Sequence, residues 1–214
     1  GWGRGGRVRC GRAFGRWEAG EAQGRAGLRD IAGEHQVAAP GWVRFGGGLG
    51  SALSGLGDTA TAVTTIGRTS AVLGRLPTLD PISHAEFDQH AASVHCAAVR
   101  RGESSGQRRT VTRAHRHARR LSRSRIGLYR PRGLRWLAEV ALLRGRPRRA
   151  ARYAAEAVQG LRRSGQRLEA SLALRVLAEA EEAAGISAAP ETRRDAIEET
   201  SQILRAVDRD ELRR

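Results

Sequence analysis

Histidine and cysteine are the side chains of this sequence best suited to hold a metal ion, and most of them fall between residues 90 and 117. Two metal ligands on one helix share a face when they are three or four residues apart. His90 and His95 are five apart, and His115 and His117 are two apart, so neither pair converges on one ion. We therefore expect no metal site here, and histidines that are partly exposed or lie at the rim of a core.

The sequence contains no lysine, which removes several kinds of active site. A Walker-type phosphate loop, a Schiff base and a Ser–Lys dyad each need an amine. The glycine-rich run Gly46–Gly50 is therefore interpreted as compositional bias at a helix start rather than as a nucleotide-binding loop. Paired carboxylates such as Glu181 and Glu182 point apart on a helix, and no Ser/His/Asp or Cys/His set lies within a motif. We predict a protein that is not an enzyme and that binds no cofactor.

Composition and cysteine usage indicate where such a chain resides. Lysine, asparagine and methionine are all absent, as expected of a GC-rich genome, and the missing initiator methionine favours a fragment or a processed product. Cys10 and Cys96 lie far apart, the sequence has no signal peptide, and no run approaches the ~18 apolar residues of a membrane span. These features predict a cytoplasmic protein without a disulfide and without a membrane partner.

Residues 1–38 differ in composition from the rest of the chain. They are rich in Gly and Arg, and their few apolar residues recur at no period that would bury a face, so this segment is predicted to be mostly disordered. A second interpretation is an RGG-like tail that binds nucleic acid. The Gly–Arg pairs are irregular, which favours compositional bias over that interpretation.

Two segments forty residues apart, Leu134–Gly145 (LRWLAEVALLRG) and Leu174–Gly185 (LRVLAEAEEAAG), repeat one pattern. The apolar residues of the first copy follow the spacing of one helix face: Leu134, Leu137, Ala138, Ala141 and Leu142. Gly145 suits the left-handed end of that helix, and Pro147 suits the first position of the next one. The pattern predicts a helical hairpin that recurs along the chain. Farther upstream, Ser83 and Glu86 have the spacing of a capping box before a helix over His84–Arg101.

This unit resembles a tetratricopeptide repeat. The Leu137–Ala138 pair and the small residue Ala141 match that family's pattern. So do the turn residue Gly145 and the spaced alanines after it, which are Ala150, Ala154 and Ala157. The resemblance implies an all-α fold of stacked helical hairpins, a right-handed α-solenoid over residues 39–214, with hairpins at about 42–70, 84–125, 131–163 and 166–210. Long copies rich in Ala, Leu and Arg resemble the repeat tails of large bacterial regulators, and such repeats are non-enzymatic protein-interaction scaffolds.

The resemblance also implies a peptide-binding groove, because fixed positions of the first helix of each repeat line a concave surface in that family. Carried over by register, the groove residues are Arg132, Arg135, Glu139, Leu142, Leu143, Arg175 and Glu179. Arginine forks in a groove suit carboxylates, so the implied partner is an acidic protein or peptide segment. The alternative is that Arg135–Glu139 and Arg175–Glu179 are ordinary ion pairs four residues apart on helix surfaces. Both interpretations stay open at this point.

The net charge of +16 is concentrated in the middle of the chain. Residues 100–164 contain 20 Arg and three acidic residues, whereas residues 165–214 contain 8 Arg and 11 acidic residues. One predicted helix, Gln107–Arg125, carries a basic patch formed by Arg108, Arg109, Arg113, Arg116, Arg119, Arg120 and Arg123. Such a patch predicts an anionic partner or contact between copies of the chain. The alternative function is therefore Arg-rich nucleic-acid binding by residues 100–164, expected to be weak and nonspecific because no aromatic stacking platform accompanies the arginines.

Overall fold

The computed structural model describes residues 39–76, 79–103, 106–186 and 189–211, and the regular secondary structure in these ranges is entirely α-helical. The helices are α1 (Ala39–Gly55), α2 (Thr59–Leu73), α3 (Pro81–Arg100), α4 (Gln107–Ser122), α5 (Arg130–Leu143), α6 (Pro147–Arg163), α7 (Arg167–Ala183) and α8 (Ala189–Glu211). The all-α prediction is confirmed for this part of the chain. The prediction for residues 1–38 lies outside the described residues.

Glycines with a left-handed backbone lie in the turns between several of the helices. Gly57, Gly102, Gly145 and Gly185 all have positive φ, between 64° and 95°. After α5, the N–H of Gly145 donates to the carbonyl of Leu142 at 2.8 Å, which closes the helix end. Gly165, with φ of 69°, has the same role between α6 and α7.

The start of α3 corrects one prediction from the sequence. The helix begins at Pro81, and the carboxylate of Asp80 accepts a hydrogen bond from the Ser83 N–H at 2.8 Å. The predicted capping box with Ser83 as the cap is therefore wrong. Proline is favoured in the first turn because its φ is already helical and its missing N–H is not needed there, which moves the cap to the residue before it. The end of α4 also differs from the prediction: the helix ends at Ser122 rather than at Arg125.

The described residues form two compact units, one that ends at His117 and one that begins at Ala118. The expectation of one continuous solenoid stays a prediction. In the first unit, α1 packs against α2 and α3. Its apolar core consists of Val43, Leu49, Leu53, Ala62, Ile66, Phe87, Ala91 and Val94.

The glycine-rich run lies inside α1 and is buried, which the sequence interpretation did not anticipate. A Cβ on Gly46 would lie 2.0 Å from Oγ1 of Thr69, and one on Gly50 would lie 2.9 Å from the Ile66 side chain. Glycine at these positions lets α2 approach the α1 backbone closely, and this contact offsets the low helix propensity of glycine.

In the second unit, α5, α6, α7 and α8 each pack against the next, and α5 also packs against α7. Small residues allow these close approaches. Ala138 and Ala154 pack with Val176, and Ala141, Ala150 and Ala151 pack with Ala180. Helix α7 thus covers the face of the α5–α6 hairpin that carries these alanines.

Candidate protein-binding surfaces

The histidines are the first candidate site, and the structure places two of them in a buried cluster. His95, His117 and Asp88 are 3%, 6% and 5% exposed. Nδ1 of His117 lies 2.7 Å from Oδ1 of Asp88 and donates to that carboxylate, while the rings of His95 and His117 stack with centroids 5.8 Å apart. Asp88 belongs to α3 and His117 to α4, so the cluster ties these helices together.

Burial governs the protonation of His95. Loss of solvation, followed by repulsion from His117 and Arg113, lowers the pKa of His95 to about 3. Nδ1 of His95 has no hydrogen-bond partner, which fits a neutral ring held by packing. Elsewhere in the first unit, Nδ1 of His90 bonds to the Ser51 hydroxyl at 2.8 Å. Among the described residues, no three His, Cys, Asp or Glu side chains are grouped as a metal site requires.

Arg135 is the most buried member of the predicted peptide groove. Its Nη2 lies 3.1 Å from Oε2 of Glu169 on α7, and the two side chains are 7% and 16% exposed. The guanidinium also lies 3.9 Å from the centroid of the Trp136 ring, within cation–π distance. At this separation and burial, the two opposite charges attract each other strongly. Arg135 therefore links α5 to α7 and is not available to a peptide.

The other predicted groove residues have differing surroundings. Nε of Arg132 donates to Oε1 of Gln166, and its guanidinium lies over the Tyr129 ring at 5.5 Å. Leu142 packs against the alanine clusters between α5, α6 and α7, while Glu139 and Leu143 are half-buried. Arg175 and Glu179 on α7 are exposed. Arg132 is thus half-buried, Arg135 is buried and Arg175 is exposed.

The basic patch is exposed along its whole length. All seven of its arginines are exposed, and residues 107–122 contain no acidic residue. The opposite face of α4 is buried and carries an apolar stripe formed by Val111, Ala114, Ala118 and Leu121. Two polar residues, Thr110 and His117, are buried along with that stripe. The helix therefore packs by one face and presents a positive face to solvent.

Part of this basic patch borders an open groove of about 700 Å³ in the first unit, here named the basic groove. Its walls are the start of α2, the end of α3 and the first turns of α4. The lining residues are Thr59, Ala60, Val63, Ala98, Glu103, Gly106, Gln107, Arg108, Arg109, Thr110 and Arg113. Thr59 is held by Arg101, whose Nη1 donates to its hydroxyl at 2.8 Å. Sequence reasoning identified the three arginines but not the α2 wall, because only packing brings α2 beside α4.

A second groove, of about 400 Å³, lies between α7 and α8 in the second unit. We name it the terminal groove. It is lined by Arg175, Ala178, Glu179, Arg193, Ala196, Ile197, Thr200 and Ser201. Ile197 is 61% exposed, the largest exposure among the large hydrophobic residues of the described chain. Two predicted groove residues, Arg175 and Glu179, therefore border an open surface.

No protein-family model and no curated protein matches this sequence. In the described ranges, no helix combines the length and the apolar character needed to cross a membrane. The candidate surfaces therefore carry the functional argument by their own geometry and charge.

Proposed function

We propose that this chain is a non-enzymatic interaction scaffold of tetratricopeptide-like helical hairpins, part of a larger cytoplasmic regulator, and that it binds an acidic protein segment. The basic groove is the observation that carries the proposal. It combines three exposed arginines with an apolar floor and with threonine hydroxyls. A segment with carboxylates at its edges and apolar side chains between them matches that lining.

The energetics favour a protein ligand over a small anion in this groove. Val63 is half-buried, and Ala60 is exposed beside it, so an apolar side chain placed there loses contact with water. Arg108, Arg109 and Arg113 supply forked donors for carboxylates at the rim. A volume of about 700 Å³ accommodates several side chains of a peptide. Glu103, the one acid of the lining, disfavours uniformly anionic ligands.

The buried cluster of His95, His117 and Asp88 supports a scaffold rather than an enzyme. Its members are each less than a tenth exposed. A general base must reach the proton that it abstracts from a bound substrate, and side chains packed inside the first unit do not meet that condition. The cluster is better explained as a link between α3 and α4.

Fluorescence anisotropy tests the proposal with a labelled Glu- and Leu-rich peptide and its Gln-for-Glu counterpart. Replacing Arg108, Arg109 and Arg113 with Gln should weaken binding of the acidic peptide at least about tenfold, or about 1.4 kcal/mol. The matched control replaces Arg116, Arg119 and Arg123 with Gln, exposed arginines outside the groove, and should change affinity less than about threefold. Equal losses in the two triple variants would contradict binding in the groove.

Nucleic-acid binding is the second candidate function, and the continuous row of exposed arginines on α4 is the observation that favours it. Phosphate contacts would then use the whole row, so both triple variants should weaken binding of a labelled single-stranded DNA to a similar degree. Each phosphate neutralised adds about 0.7 to the slope of log affinity against log salt for a single strand. DNA binding that is tighter than peptide binding and persists at high salt would reverse the ranking of the two functions.

A further inference from the structure

The two copies of the repeated segment occupy equivalent places on α5 and α7, yet their surroundings differ. The offset of forty residues pairs Arg135 with Arg175, and it pairs the next small residue and the next acid in the same way: Ala138 with Ala178 and Glu139 with Glu179. Arg135 is 6% exposed, whereas Arg175 is exposed. The same residue type at the same repeat position is buried in one hairpin and open in the other.

The second helices of the two hairpins show the same difference. On α8, Ala196 belongs to the core cluster that includes Leu174 of α7, and the next residue, Ile197, borders the terminal groove. Ala151 is 8% exposed because it packs with Ala180 of α7. Ile197 is 61% exposed. A large apolar side chain of α8 is therefore uncovered, whereas Ala151 of α6 is covered by the helix that follows it.

The α5–α6 hairpin shows what covers such a face. Glu169, in the first turn of α7, pairs with Arg135 at 3.1 Å. Seven residues later Val176 packs on Ala138 and Ala154, and four residues after that Ala180 packs on the neighbouring alanines. One helix therefore supplies an acid, then a branched apolar residue, then a small residue, all on one face.

We infer that the α7–α8 face, centred on the terminal groove, is a docking surface for a further helical hairpin of this repeat type. The first helix of that hairpin carries a carboxylate in its first turn, which pairs with Arg175, and apolar residues seven and eleven positions later, which cover Ile197. Two observations favour this occupant. Arg175 stands at the same repeat position as Arg135, which pairs with a carboxylate of the next helix, and its positive charge is exposed. The inference concerns the second unit and does not depend on the basic groove.

An extended chain tests the inference in the intact protein. A second copy of residues 164–211, the α7–α8 hairpin with its preceding turn, is joined to the C terminus of the full chain. A fluorescent maleimide then reports on Ile197→Cys in a Cys10→Ser background, where the other cysteine, Cys96, is buried. Extension should slow the labelling at least about tenfold, since a docked helix excludes the reagent. Labelling of Ile82→Cys, at a 46% exposed site in the first unit, should not change.

A charge swap separates the specific contact from nonspecific covering. Arg175→Glu in the extended chain should restore most of the fast labelling, because two carboxylates then face each other. Adding Glu169→Arg in the appended copy alone should slow the labelling again. Unchanged labelling of Ile197→Cys on extension would overturn the docking surface. If labelling of the extended chain stays slow after Arg175→Glu, the assigned register and the proposed role of Arg175 are wrong.

Discussion

The buried contact between Arg135 and Glu169 gives the most direct test of how the second unit is held together. Its charges are 3.1 Å apart, and with an effective dielectric constant of about 20 their attraction is worth about 5 kcal/mol before desolvation is counted. Removing one partner leaves the other charge buried, which typically costs about 3–5 kcal/mol. Because the Glu169 side chain keeps 16% exposure, we expect the lower end of that range. Arg135→Met should therefore destabilise the protein by about 3 kcal/mol.

A double-mutant cycle measured by urea unfolding and circular dichroism checks this magnitude. Glu169→Gln should cost about 2 kcal/mol, less than Arg135→Met because the amide oxygen still attracts the guanidinium. The double variant should lose about 3 kcal/mol in all, which gives a coupling of about 2 kcal/mol that changes little with added salt. Arg163→Met, at an exposed arginine on α6, is the control and should change stability by less than about 0.5 kcal/mol. Additive losses, or a loss below about 1 kcal/mol for Arg135→Met, would refute the reasoning.

Three further predictions concern the pH response, a helix contact and a helix cap. The folded-state pKa of His95, about 3, lies below its ordinary value of 6.5. The free energy of unfolding should therefore fall as the pH drops below 6.5, by about 1.4 kcal/mol per pH unit. The His95→Leu variant should lack this contribution when its unfolding in urea is measured at several pH values. Gly133→Ala places a Cβ 2.2 Å from the Ser122 backbone nitrogen and should lower the melting temperature through a loss of about 1–3 kcal/mol, whereas Gly67→Ala, in open space, should not destabilise. Asp80→Ala removes the α3 cap and should cost about 1 kcal/mol, and an unchanged urea midpoint would contradict the cap assignment.

The positions of the helices follow from local rules that act within one or two turns. Gly145 ends α5 and Pro147 begins α6, as predicted, since each acts through its own backbone. The apolar stripe of α4 was likewise predictable, because a helix that packs by one face must repeat apolar residues at its own period. The exposure of the seven arginines of the basic patch follows from the same kind of rule, since charged residues avoid burial unless they are paired.

Contacts between helices could not be derived in this way. The run Gly46–Gly50 has the composition of a disfavoured helix, and only the nearness of Thr69 and Ile66 explains why glycine is needed there. The basic groove likewise depends on α2 lying beside α4, although these two helices are far apart in the sequence. The packing of the helices determines which of their side chains meet, and a local sequence pattern does not predict that packing.

Arg135 and Arg175 have the same local sequence, and only the tertiary structure determines which of them is buried. Both stand after Leu in the same repeated pattern, and both are followed four residues later by Glu, so any local rule assigns them one environment. By itself, the sequence determined that both lie on helices, at one repeat position. Their burial was decided by α7, which covers Arg135 with a carboxylate, while α8 leaves Arg175 open beside Ile197. The physical reason is that the cost of burying a charge depends on the partner that meets it, and that partner comes from another helix.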